Sequence, residues 1–183
     1  HALNTQQYEA ATKAAGLKES PLGYDQTFCV QDKKKLFMNY RGDPRSAGLY
    51  VFALDILPEE AAKQPLYKGF CSILQLLKDK TGRAHIFATC QRSGLPNFVL
   101  IDTDAPVEQS VTELTYDKNA MNCDAANATI ATLSIHPSFE DIDKDGVMDI
   151  RLTQANRDCA TQKIDFSRKD YMATNNGFGI ATP

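Results

Sequence analysis

Phe139-Glu140-Asp141-Ile142-Asp143-Lys144-Asp145-Gly146-Val147-Met148-Asp149-Ile150-Arg151-Leu152-Thr153 joins an alternation of acids to an alternation of apolar and polar residues. Asp141, Asp143 and Asp145 fall at positions 1, 3 and 5 of a calcium loop, Gly146 falls where the backbone must turn sharply, Val147 can offer a carbonyl, and Asp149 takes position 9. Without a cation these four carboxylates repel one another, and a hard divalent ion converts that repulsion into the force that folds the loop. An EF-hand would place a bidentate glutamate at position 12 and a helix on either side, but position 12 here is Leu152. Asp149-Ile150-Arg151-Leu152-Thr153 instead has the period of two of a β-strand. The segment therefore reads as a loop that staples itself to a strand, with Asp149, Glu140 or water completing the shell. That suits a permanent structural site better than a sensor, which needs a helix pair to open.

The stretch from Phe139 to Leu152 resembles the calcium loops of the FG-GAP and VCBS type, in which DxDxDGxxD leads into a strand. Such loops are frequent in exported bacterial proteins, including periplasmic ones that resemble single propeller blades. Some of those inhibit lysozyme-like cell-wall enzymes or act as immunity proteins. The resemblance spans about a dozen residues and implies Asp141, Asp143, Asp145 and Asp149 as ligands. A second loop of this kind is absent from the sequence, which argues against a multi-blade propeller.

The chain of 183 residues fits one domain, 1–183, with an N-terminal helical segment over 1–20 and the calcium loop and its strand over 139–154. Its 43% apolar and 23% charged residues are ordinary for a globular protein, and a net charge of −3 disfavours a nucleic-acid partner. No apolar run is long enough to span a bilayer. The chain starts at His1 without a methionine, as a cleaved export signal or a trimmed start would leave it. Five cysteines, Cys29, Cys71, Cys90, Cys123 and Cys159, stand far apart with no CxxC pair, which excludes the usual zinc spacing. Either all are reduced, or two disulfides leave one thiol over. Calcium favours the second, because millimolar calcium outside the cytosol keeps even a weak site filled. Cys123 and Cys159 flank the acidic segment in polar surroundings and are the expected first bridge. Cys29, Cys71 or Cys90 would supply another, with Cys71, among Phe70, Ile73 and Leu74, as the expected buried thiol.

Helices are expected in the N-terminal half. Asn4-Thr5-Gln6-Gln7 is a capping box opening a helix that runs to Gly16. Pro58-Glu59-Glu60 starts a second, which Pro65 interrupts. Phe70, Ile73, Leu74 and Leu77 form an apolar stripe that predicts a third, Lys68 to Lys80, ended by Thr81-Gly82. Strands are expected at 27–30, 36–40, 49–54, 84–90, 98–101, 111–116, 129–135, 148–154 and 161–166, and a turn-rich tail at 175–179. The expected class is α+β, a mainly antiparallel sheet with two or three helices.

Other constellations are weaker. Arg41-Gly42-Asp43 matches the tripeptide of integrin ligands, Asn127-Ala128-Thr129 is a formal glycosylation sequon, and Lys33-Lys34-Lys35 suits a solvated hairpin tip. For catalysis the chain offers Asp102 with Asp104, His85, His136, and a pairing of Cys90 with either histidine. The expectation is an exported, extracytoplasmic (periplasmic or secreted), non-catalytic protein stabilised by calcium at Asp141, Asp143, Asp145, Val147 and Asp149, which binds a protein partner. A periplasmic inhibitor or immunity protein against a cell-wall-degrading enzyme is the form the resemblance implies. The alternatives are an exported hydrolase with a structural calcium, using Asp102, Asp104 or His136, and an adhesin or pilus-associated module using the Arg41-Asp43 loop.

Overall fold

The computed structural model describes residues 27–30, 35–40, 44–53, 66–91, 94–117 and 119–181. Its regular structure is nearly all strand, with twelve strands in three antiparallel sheets among the described residues. The first sheet runs β1 (Thr27–Val30), β2 (Lys35–Tyr40), β3 (Gly48–Ala53), β4 (Tyr67–Lys68), in that order. The second runs β5 (Phe70–Lys78), β6 (Ala84–Gln91), β7 (Asn97–Asp102), β8 (Val111–Leu114). The third has the order β12-β11-β10-β9, from β9 (Ile130–Glu140), β10 (Asp149–Asp158), β11 (Ile164–Thr174) and β12 (Gly177–Ile180). By contact the chain divides into two compact units, 1–76 with 86–92 and 97–113, and 77–85 with 93–96 and 114–183.

The α+β expectation is corrected: the described residues hold a one-turn 3-10 helix at Val107–Gln109 and no α-helix. The helices expected at 4–16 and from Pro58 lie outside the described residues, as does Arg41-Gly42-Asp43. The third expected helix, Lys68 to Lys80, is strand β5. Its sequence carries both periods, because Ile73 and Leu77 belong equally to the helical stripe and to the strand face of Cys71, Ile73 and Leu77. Tertiary pairing decides between them. Cys71 is disulfide-bonded to Cys90 on β6, with the two Cα atoms 4.0 Å apart, and this ties β5 flat against its neighbour. Cys71 is therefore not the spare thiol expected, and Cys90 has no thiol to share with a histidine. Cys71, Ile73, Ile86, Ala88, Cys90, Val99 and Ile101 then close one core with Phe37, Leu49 and Val51 of the first sheet.

In the second unit the hairpins are longer than expected. β9 and β10 pair from Asp149↔Glu140 to Asp158↔Ile130, with a bulge at Ala155/Asn156. His136 is consequently in mid-strand opposite Thr153, not at a strand end. The turn-rich tail is a hairpin, since Thr174↔Gly177 through Tyr171↔Ile180 pair around Asn175-Asn176, with Gly177 at φ +109. One face of this sheet buries Ile150, Leu152, Gln154, Ile135 and Tyr171. The Cys123–Cys159 bridge, the pairing expected first, closes its far end.

Candidate metal centre

The loop between β9 and β10 is folded by its own carboxylates. Asp141 accepts the amides of Asp145 at 3.0 Å and Gly146 at 2.9 Å, and Asp145 Oδ1 accepts that of Val147 at 2.9 Å. Lys144 (φ +62) and Gly146 (φ +89) are left-handed and bring the chain round. A Cβ on Gly146 would meet nothing within 4 Å, so the backbone angle rather than space calls for glycine there.

Asp149 opens β10 and is fully buried. Its Oδ2 accepts the Ile142 amide at 2.9 Å and its Oδ1 the Ala173 amide at 2.8 Å, which fastens the loop to β11. The result is a cluster in which one oxygen each of Asp141, Asp143 and Asp149 lies within 4.8 Å of the others. Hard anionic oxygens at that spacing suit a hard cation, and a carboxylate oxygen that accepts one amide keeps a lone pair for an ion. Asp145, the remaining acid of the motif, is outside this triad. Its Oδ2 lies 2.5 Å from Lys80 Nζ, which also reaches Asp143 Oδ2 at 3.4 Å. Lys80 holds the Asp145 carboxyl below its usual range, and Asp145 in turn raises the Lys80 ammonium. The half-buried Val147 contributes its amide to Asp145.

Lys80 is delivered by the turn between β5 and β6, where sequence reading saw only a helix end. Asp79 builds this turn. Its Oδ1 accepts the amides of Thr81 at 2.9 Å and Arg83 at 3.0 Å and the Thr81 hydroxyl at 2.6 Å. Its Oδ2 faces His85 Nε2 at 3.2 Å. Burial pushes the Asp79 carboxyl up, but the Thr81 hydroxyl, His85 and the two amides outweigh it and hold the group at about 2. His85 is buried, with its Nδ1 unpartnered among the described residues and its ring edge-on to Phe178 at 5.4 Å.

The residues offered for catalysis are divided between the two compact units, Cys90, Asp102 and Asp104 in one and His85 and His136 in the other. Asp102 Oδ1 accepts the amides of Asp104 at 2.9 Å and Ala105 at 3.3 Å, the work of a turn at the end of β7. His136 is exposed on β9, in the other compact unit. Asn127, in the sequon, is an exposed turn residue at φ +64. Glu140, weighed as a ligand, instead accepts Arg151 Nη1 at 2.8 Å, while Asp170 takes Arg151 Nε and Nη2 at 2.7 and 2.8 Å. Asp170 raises the Arg151 guanidinium, which holds the Asp170 carboxyl below its usual range.

No protein-family model matches the chain, and no curated protein matches it. Among solved structures, an endo-1,4-beta-xylanase from Bacteroides thetaiotaomicron is similar at 12% identity and a TM-score of 0.35, over 87% of this chain and 53% of that one. The chain thus spans about half the length of that xylanase, and at this TM-score the likeness assigns neither fold nor activity. Two disulfides are compatible with an extracellular location, and no helix among the described residues is long and apolar enough to cross a membrane.

Proposed function

We propose that the protein is an exported, non-catalytic binding protein whose C-terminal sheet is clamped by one calcium ion at the β9–β10 loop. The observation that carries this reading is the approach of Asp141, Asp143 and Asp149 within 4.8 Å in a loop anchored to β11 through Asp149. Calcium is preferred to magnesium because a loop of carboxylates and carbonyls tolerates the larger ion's irregular shell, whereas magnesium demands near-octahedral geometry and keeps its waters. Asp145 and the Val147 carbonyl complete the ligand set once Lys80 withdraws. The ion stiffens the protein rather than switching it, since strands and not helices leave the loop.

Binding rather than catalysis is favoured by where the candidate catalytic groups are spent: Asp102 in a turn, Cys90 in a bridge, His85 buried against Asp79. The resemblance of the loop to exported bacterial calcium loops gives the partner a concrete form, a cell-wall-degrading enzyme that this protein inhibits. Calorimetric titration of chelated protein with calcium and with magnesium tests the clamp. One calcium bound per chain, with a rise in melting temperature, is expected, and an unchanged melting curve overturns the clamp. Assay of purified lysozyme-type hydrolases with and without the protein tests the partner class, and unaltered activity across the panel removes it.

A further inference from the structure

The outer face of the third sheet divides into two halves. Cross-strand rows on this face read Ser138–Arg151–Asp170, then His136–Thr153–Arg168, then Ser134–Ala155–Phe166, and beyond the bulge Arg157 opposite Ile164. Near the acidic loop, charge is settled internally, because Arg151 is held by Glu140 and by both oxygens of Asp170. Toward the other end the face presents Phe166 at 70% exposure and Ile164 at 49%, with Arg157 and Arg168 around them.

A lone exposed apolar side chain carries no message. Here two stand next to each other on one strand face, about 7 Å apart by the strand repeat. Their neighbours Ser134, Thr153 and Ala155 are short, and Phe166 remains largely exposed beside them. Phenylalanine and arginine are among the side chains enriched where proteins meet, and an aromatic anchor ringed by polar groups is the usual plan of such a patch. Asp170 is taken up by Arg151 and lies within reach of Arg168, so Arg157 and Arg168 leave this half-face with more positive than negative charge, complementary to carboxylates. The patch is far too small for the phosphate tracking of a nucleic-acid site.

We propose that this half-face, with Phe166 as anchor and Arg157 and Arg168 as flanking charges, docks an acidic segment of a protein partner that carries an apolar side chain or pocket for Phe166. The inference rests on the reading of the protein as a binder and assigns the surface that does the binding.

The test uses the full chain with calcium, and two acidic polypeptides as probes, poly-L-glutamate and a glutamate–tyrosine copolymer. Wild type is expected to bind the copolymer more tightly than poly-L-glutamate. Phe166→Ala should lose about tenfold on the copolymer and little on poly-L-glutamate, and Arg157→Ala with Arg168→Ala should lose about tenfold on both. A Lys68→Ala, Lys78→Ala control removes the same charge elsewhere and should bind as wild type. No binding by wild type, equal loss in the control, or tighter binding of polygalacturonate than of either polypeptide overturns the proposal, the last in favour of an acidic glycan. Retained binding in the Phe166 and arginine variants overturns the surface while leaving the binding reading intact. The cell-wall-enzyme partner class falls separately, in the hydrolase assays.

Discussion

Lys80 Nζ lies 2.5 Å from Asp145 Oδ2 and 3.4 Å from Asp143 Oδ2, so the β5–β6 turn supplies a tethered cation to the acidic loop between β9 and β10. An ammonium and a divalent ion compete for the same oxygens. The ammonium lowers repulsion in the ion-free loop, and on the proposed reading calcium would displace it to recruit Asp145. Lys80→Met should therefore tighten calcium binding on the order of two- to fivefold, the scale of an exposed ion pair, and lower the melting temperature in EGTA. Calorimetry and melting curves with and without calcium check both halves. Weaker calcium binding would show that Lys80 shapes the loop instead of competing for it.

Asp149 and Asp143 both belong to the carboxylate triad, but they should fail differently. Asp149 is buried and accepts two backbone amides, from Ile142 and Ala173, whether or not an ion is present. Asp149→Ala leaves those donors unpaired and should cost about 3 kcal/mol in urea unfolding even in EGTA. The Asp143 side chain is exposed, with Lys80 and the Asp145 amide as its partners, so Asp143→Asn should leave the EGTA value nearly unchanged. Its effect should appear only in calcium, as a smaller rise in stability. Equal losses in EGTA would contradict this division.

The acidic loop and most strands were legible because their signals are local. Alternating aspartates, a following glycine and period-two segments need no knowledge of the rest of the chain. The failure at 70–78 is of another kind. Phe70, Ile73, Leu74 and Leu77 satisfy a helix, and only the disulfide to Cys90 and pairing with β6 select the strand. At the tail the turn chemistry of Asn175-Asn176-Gly177 was legible, but the pairing of the segments on either side of it was not. Lys80 as a partner of Asp145 was beyond reach, because sixty-odd residues separate them and only the folded turn joins them.

The two disulfides should respond to reductant in a fixed order. Cys71 and Cys90 are wholly buried, whereas Cys123 and Cys159 are only partly so. Mild reductant under native conditions should open Cys123–Cys159 alone, read by alkylation and mass spectrometry, with Cys71–Cys90 opening only on unfolding. Bridges that span 36 and 19 residues each restrict the unfolded chain, by roughly 3–4 kcal/mol in the loop-closure estimate. A Cys123→Ser, Cys159→Ser variant should thus remain folded but unfold at lower urea. Its calcium affinity should hold, because the loop is anchored through Asp149 at the opposite end of β10 from Asp158.

The Asp79 turn sets a stability contribution that acid removes. Its folded carboxyl sits at about 2, below the ordinary 3.8, so the unfolded chain takes up a proton first as pH falls. The contribution is then fully present above pH 3.8 and is lost as pH drops from there through about 2. One pKa unit is worth ~1.4 kcal/mol, which puts the loss on the order of 2 kcal/mol for this fully buried side chain. Asp145, Asp158 and Asp170 are also held below their usual range, so total acid sensitivity cannot isolate Asp79. The difference between wild type and Asp79→Asn can. The amide keeps an acceptor for Thr81 and Arg83 but has no proton to gain, so the variant should be less stable at pH 6 and should close on wild type between pH 4 and pH 2. Parallel urea-unfolding curves over that range would mean that the Asp79 hydrogen bonds do not discriminate between its charged and neutral forms.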